Sequence, residues 1–242
     1  MNVIALEHVT KRYRDGHRQI DVLDDVCLEI YEGEWLGVWG PRRSGKSTLL
    51  QVAAGRLRPD EGKAYFNGSE ISRMSTDALA RLQRRGGVGL LSGDWRPIRT
   101  QPVIEYAALP LLSDGLSLRE AREPAWRALE RAGVASCAYM PAERLSARER
   151  VRVSLARVLV HRPRVIMLDE PAALLRPSEA AELYELLRSL GRESPVSIVI
   201  ASEELAAIRK ADRIVSIDDG QLREMQTPGT LVQFPDPPRR RP

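Results

Sequence analysis

The chain has 242 residues, 43% hydrophobic and 29% charged, so it can bury a core without disulfide or metal staples and is too apolar for wholesale disorder. No apolar run approaches the roughly 18 residues of a membrane span and no charged-then-apolar leader opens the chain, which predicts a cytosolic protein that would borrow another chain's span to work at a membrane. The formal charge is +4, of which the segment Pro235–Pro242 supplies +2, and the nearly neutral remainder argues against nucleic acid as a partner.

In chain order, Val3–Ile30 reads as short strands separated by turn residues, with Asp15-Gly16 as a turn signal and Val26–Ile30 as a strand. Trp35–Trp39 is a short buried strand that runs into Gly40 and then a helix beginning near Ser47, which Gly55 and Pro59 close. A β unit follows around Lys63–Asn67, then a helical pattern over Thr76–Arg85 and a strand at Val88–Leu91. From about Gly93 to Arg144 the pattern is mostly helical and amphipathic, with Pro124 near the start of one helix. Ser146 is placed to cap a helix that runs to Val160, ahead of a second buried strand at Val165–Leu168. A helix over Ser178–Leu190, a strand at Ser197–Ala201, a short helix at Glu204–Lys210 and a last strand at Ile214–Ile217 follow, and Asp219-Gly220 turns the chain. This alternation predicts an α/β protein whose mainly parallel sheet is covered on both faces. The tail from about Pro228 reads as a disordered or partner-dependent end. Cys27 and Cys137 are too few for a disulfide framework or a four-cysteine zinc site, and both are predicted as buried thiols.

Gly40-Pro41-Arg42-Arg43-Ser44-Gly45-Lys46-Ser47 fits G-x4-G-K-S, and it stands where that pattern needs to be, between a strand and a helix. Successive backbone N–H groups of such a loop wrap a β-phosphate, and the helix N-terminus adds partial positive charge. Lys46 would reach the β- and γ-phosphates and Ser47, followed by Thr48, would ligate Mg²⁺. Val165–Leu168 then delivers two carboxylates, Asp169 and Glu170, at a strand's C-terminal end. Asp169 would hold Mg²⁺ through water and Glu170 would polarise the attacking water as general base. Many buried strands end in acidic residues, so the second pattern is weak alone; joined to the phosphate loop it points to Mg-nucleotide binding.

With these motifs in place, the chain resembles the ATP-binding subunit of an ABC transporter over about residues 3–226. The stretch Glu105-Tyr106-Ala107-Ala108-Leu109-Pro110-Leu111-Leu112 is similar to the lipoprotein-release, macrolide-export and cell-division branch. The resemblance implies a RecA-like phosphate-loop core with a mainly parallel sheet, an antiparallel β subdomain and a helical subdomain at about 93–150, all within an ATP-binding domain spanning 1–226. It implies ATP and Mg²⁺ as ligands, a homo- or heterodimer that sandwiches two ATPs head to tail, and a membrane permease that holds the subunit on the inner face of the cell membrane. Tyr13 matches the aromatic residue that stacks on adenine, the alternative being a surface tyrosine. Leu145–Arg157 lies where the family's L-S-G-G-[QE] signature begins its helix. For Arg239-Arg240-Arg241 in the 227–242 tail, a solvated charge run stands against contact with anionic lipid or a permease's acidic loop.

Four positions depart from the family pattern. Gly93 falls where a lid glutamine is expected. In the signature, Ser146 and Glu149 remain but Ala147 and Arg148 replace two glycines whose backbone approaches the partner subunit's γ-phosphate. Arg176 replaces an aspartate that links the two ATP sites, and Glu203 (Ser202 with a one-residue slip) replaces a switch histidine. Within the phosphate loop, Arg43 stands at a usual glycine, adding a phosphate contact or weakening the loop. Since one missing γ-phosphate contact costs about 10²–10³ in rate, slow or partner-dependent turnover with surviving ATP binding is the expectation. Two readings follow: a transporter ATP-binding subunit, or a nucleotide-binding scaffold that regulates a membrane protein without meaningful hydrolysis.

Overall fold

The computed structural model describes residues 1–16, 18–92, 100–193 and 195–225; Gly93 and the 227–242 tail lie outside them. Two sheets organise the chain. The first is antiparallel, in the order β2-β1-β4-β5, from β1 (Asn2–Asp15), β2 (Arg18–Tyr31), β4 (Glu61–Phe66) and β5 (Ser69–Glu70). The second has six strands in the order β10-β9-β3-β8-β7-β6, from β3 (Trp35–Trp39), β6 (Val88–Leu91), β7 (Val165–Asp169), β8 (Ser197–Ser202), β9 (Arg213–Asp218) and β10 (Gln221–Met225). Its neighbours from β9 through β6 are parallel, and only β10 runs antiparallel, against β9.

Buried strands of the second sheet divide their side chains between two cores, as the period-two alternation of a strand requires. In β7, Val165 and Met167 join the core shared with the antiparallel sheet and α1 (Lys46–Ala53), whereas Ile166 and Leu168 join the core under the helices. That second core packs α3 (Val103–Ser113), α4 (Leu118–Arg131), α5 (Ala147–Leu159) and α6 (Pro177–Glu193). The remaining helices are α2 (Thr76–Arg84) and the four-residue α7 (Leu205–Ile208).

Several expectations are corrected. The N-terminal region is two 14-residue strands, not a series of short ones, because the ladder passes through a bulge between Leu6 and Val9 without breaking. His8 takes positive φ at that bulge and Asp25 at the next register shift, between Val9 and Lys11, and their side chains meet at 2.7 Å. Cys27 is exposed, because Val26, Leu28 and Ile30 take the inward face of β2 and leave Cys27 on the other; Cys137 is buried as expected. Pro124 is the seventh residue of α4, whose start is set earlier by a capping box between Ser117 and Glu120. β10 was absent from the sequence reading. Asp219 and Gly220, both at positive φ, form the two-residue hairpin loop that pairs Gln221 with Asp218.

Candidate functional site

β3 is buried on both faces and ends at Trp39, and the phosphate loop leaves from that end. Two glycines are needed there for space. A Cβ on Gly40 would stand 2.4 Å from the Ile217 carbonyl oxygen, and one on Gly45, at φ 105°, would stand 2.6 Å from the Val22 carbonyl oxygen. The loop is thus wedged between β9 and β2. Gly45 caps α1 with no side-chain bond, leaving the first-turn N–H groups of Lys46, Ser47 and Thr48 at the helix mouth, where an anion is favoured. Pro41, Arg42, Arg43 and Ser47 are exposed and Thr48 is half-buried.

Lys46 is buried, and its Nζ donates to the carbonyls of Gly40 (2.7 Å) and Pro41 (2.8 Å) and lies 3.6 Å from Glu170 Oε1. The ammonium is therefore pre-aimed by its own loop. Asp169 ends β7 between β6 and β8, and Glu170 follows at φ 48°, its N–H donating to the Ala201 carbonyl at 3.0 Å. Burial pushes the Glu170 carboxyl above the usual carboxylate range, with Lys46 pulling the other way and the neighbouring Glu203 and Asp169 adding to the rise. Ser44 Oγ, Asp169 Oδ1 and Glu170 Oε1 are all buried without a hydrogen-bond partner. Buried polar atoms rarely stay unpaired, so three such oxygen atoms on the loop and at the end of β7, one of them 3.6 Å from the Lys46 ammonium, fit a polar site that meets a ligand.

Glu203, just past β8, is held beside this site. Its carbonyl accepts from Trp39 Nε1 at 3.0 Å, its N–H faces the Glu170 carboxylate, and its Oε1 lies 3.3 Å from Arg42 Nε. Ser202 is buried and accepts the Glu204 N–H at 3.1 Å, so the carboxylate, not the hydroxyl, is the side chain presented to the loop. Tyr13 pairs with Ile20 across the β1–β2 ladder, two residues along β2 from Val22, the residue that abuts Gly45. Its ring is 42% exposed, with Lys11 Nζ 5.9 Å from the centroid.

A second cluster forms on α5 and α6. Ser146 caps α5 in a capping box with Glu149, whose carboxylate also accepts from Cys137 Sγ at 3.2 Å and is held below its ordinary pKa mainly by the Ser146 hydroxyl. Ala147 opens that helix, and Arg148 pairs with Glu182 of α6. Arg176 precedes α6 and both its N–H and its guanidinium bond Glu179, which lowers that carboxyl to about 2. Among the described residues no hydrogen bond or ion pair joins this cluster to the phosphate loop. The sequence reading missed Glu179 and Glu182 as partners of the two arginines. For Arg176 the spacing of three to Glu179 at the start of α6 was the available signal, but for Arg148 nothing in the sequence placed α5 against α6. It also missed Tyr184, whose buried hydroxyl is pushed up to about 12 by burial and by Glu170.

The architecture and the motifs agree with what is known of other proteins. The ABC transporter family model matches residues 23–173. The lipoprotein-releasing system ATP-binding protein LolD of Pseudoalteromonas translucida (strain TAC 125) is 32% identical over 220 residues, covering 91% of this chain and 94% of that one. LolD of Pseudomonas syringae pv. tomato (strain ATCC BAA-871 / DC3000) is 33% identical over 223 residues, 92% of this chain and 97% of its own. Among solved structures, the ATP-binding cassette MJ0796 in a dimeric post-hydrolysis state bound to ADP and Pi superposes with a TM-score of 0.85 at 29% identity, over 94% of this chain and all of that one. A buried lysine in a glycine-framed loop, an acid-tipped neighbouring strand and these whole-chain likenesses together show that the chain belongs to the ABC transporter family as an ATP-binding subunit.

Proposed function

We propose that this subunit binds Mg-ATP between the Gly40–Thr48 loop and the Asp169-Glu170 strand end, and couples that binding, with slow or partner-dependent hydrolysis, to a membrane permease. The observation that carries the nucleotide reading is Lys46, buried yet positioned by two loop carbonyls and 3.6 Å from the Glu170 carboxylate. Hydroxyl and carboxylate oxygens are the donors Mg²⁺ prefers, so Ser47 and Asp169 are suited to hold it, and the ion would neutralise phosphate charge when bound. Glu170, its carboxyl raised by burial, is the base that would orient and polarise a water molecule. Tyr13 offers its exposed ring to the base. In a dimer of cassettes the second cluster, Ser146 to Glu149 with Arg176, would serve the partner's nucleotide.

For the permease we propose the 630 Å³ cleft between β6, α2, α3 and α5. It mixes apolar Leu57, Met74 and Leu79 with a polar network in which Asp114 accepts from Arg84 Nη1 at 3.0 Å and faces His161 Nε2 at 3.5 Å. The cleft reaches Ser92, next to Gly93, the position the family resemblance assigns to the lid. LolD belongs by name to a lipoprotein-releasing system, and we propose a membrane-extraction or export complex of that kind for this chain.

Calorimetric titration of the full chain with ATP and magnesium, beside Lys46→Ala, tests the nucleotide reading. Binding by the wild type and its loss in the variant are expected; no heat beyond dilution in the wild type would overturn it. A steady-state ATPase assay with Glu170→Gln as the blank then measures hydrolysis.

A further inference from the structure

A carboxylate at position 203 poses an electrostatic problem that the structure itself answers. Asp169, Glu170 and Glu203 all crowd the end of the parallel sheet where a triphosphate must sit, and Glu203 is close enough to Glu170 to add to the rise of its carboxyl. The backbone of Glu203 is held at its carbonyl by the Trp39 indole at 3.0 Å. The charge partner of its carboxylate is Arg42, whose Nε stands 3.3 Å from Glu203 Oε1. Arg42 is itself a loop residue, three positions before the glycine that opens α1. A residue of the phosphate loop and the departure after β8 are thus in contact.

We infer that Arg42 is a positioning residue that pairs with Glu203 and holds its carboxylate off the terminal phosphate, so that the two residues act as one unit that lets a cassette lacking the switch histidine accept ATP. The inference rests on the nucleotide reading above and adds to it a specific consequence. Glu203 weakens triphosphate binding, and Arg42 suppresses that effect. Because the repulsion is directed at the end of the phosphate chain, it acts on ATP more than on ADP.

The test is a double-mutant cycle on the full chain, with the dissociation constants of Mg-ATP and Mg-ADP measured by calorimetry for wild type, Arg42→Ala, Glu203→Gln and the double variant. Arg42→Ala is expected to weaken ATP by about twofold to fivefold, the scale of an exposed charge pair, and ADP by less. Glu203→Gln alone is expected to tighten ATP, and the double variant to recover most of the loss of Arg42→Ala. Arg42→Lys, which keeps the charge, is expected to retain most of the wild-type affinity. Thermal unfolding of all variants without nucleotide checks that each is folded. The inference is overturned if Arg42→Ala costs the same whether or not Glu203 is present, since Arg42 would then touch phosphate directly, or if ATP and ADP lose equally. Wild-type chain that binds neither nucleotide would instead sink the nucleotide reading, a result distinct from binding with additive effects.

Discussion

Arg43 sits at φ 65°, in the left-handed region, at a loop position where the family resemblance leads one to expect glycine. It is exposed, and among the described residues no ion pair or hydrogen bond holds it there. A side chain with a Cβ costs roughly 1–2 kcal/mol in that conformation. Replacing it by glycine removes this cost but returns about 0.4–1 kcal/mol of backbone freedom to the unfolded chain. Arg43→Gly is therefore expected to stabilise the nucleotide-free protein by about 0.5–1 kcal/mol, which for a chain of this size raises Tm by roughly 1–4 °C. Arg43→Ala keeps the Cβ and should gain nothing, so the pair of variants isolates the backbone term. Scanning calorimetry and urea unfolding measure it. If Arg43→Gly is no more stable than Arg43→Ala, the strain argument is wrong. The same variants, titrated with Mg-ATP, decide between the two roles left open by the sequence. A guanidinium that touches phosphate makes Arg43→Gly bind more weakly despite its relaxed loop, whereas an idle one makes it bind as well or better.

Three further outcomes are expected. Gly40→Ala places a Cβ 2.4 Å from the Ile217 carbonyl oxygen, so it should abolish ATP binding and lower stability by about 2 kcal/mol or more, read by calorimetry and urea unfolding. Ser146→Ala removes the cap of α5 and should cost about 1 kcal/mol in urea unfolding, with Ser146→Gly costing less. Glu179 has a folded-state pKa of about 2 against 4.5 for the free group, a depressed value, so its contribution is complete above about pH 4.5 and is lost as pH falls toward 2. The Tm difference between wild type and Glu179→Gln should accordingly shrink across that window and stay constant above it; a difference that grows on acidification would contradict the Arg176–Glu179 assignment.

Much of the architecture was legible because it rests on local rules. Trp35–Trp39 and Val165–Leu168 are apolar runs too short for helices, and each proved to be a strand buried on both faces. The Ser146-to-Glu149 spacing announced a capped helix, and the glycine pattern of residues 40–47 announced a phosphate loop from its own chemistry. Boundaries were less well read where a local signal had two meanings. Val3–Ile30 looks like several short strands, but pairing across the ladder absorbs Asp25 into a register irregularity within one long strand. Cys27 looked buried by residue type, and only the strand's facing decided otherwise.

What the tertiary structure alone decided is which charges meet. Arg42 and Glu203 are 161 positions apart in sequence yet 3.3 Å apart in space, because the parallel pairing of β3 with β8 brings the ends of both strands to one edge. Arg148 finds Glu182 only because α5 and α6 pack on the same face of that sheet. Periodicity and capping act over a few residues and so can be read from the chain, whereas an ion pair depends on the full path that folds its two partners together, and no short window of sequence contains that path.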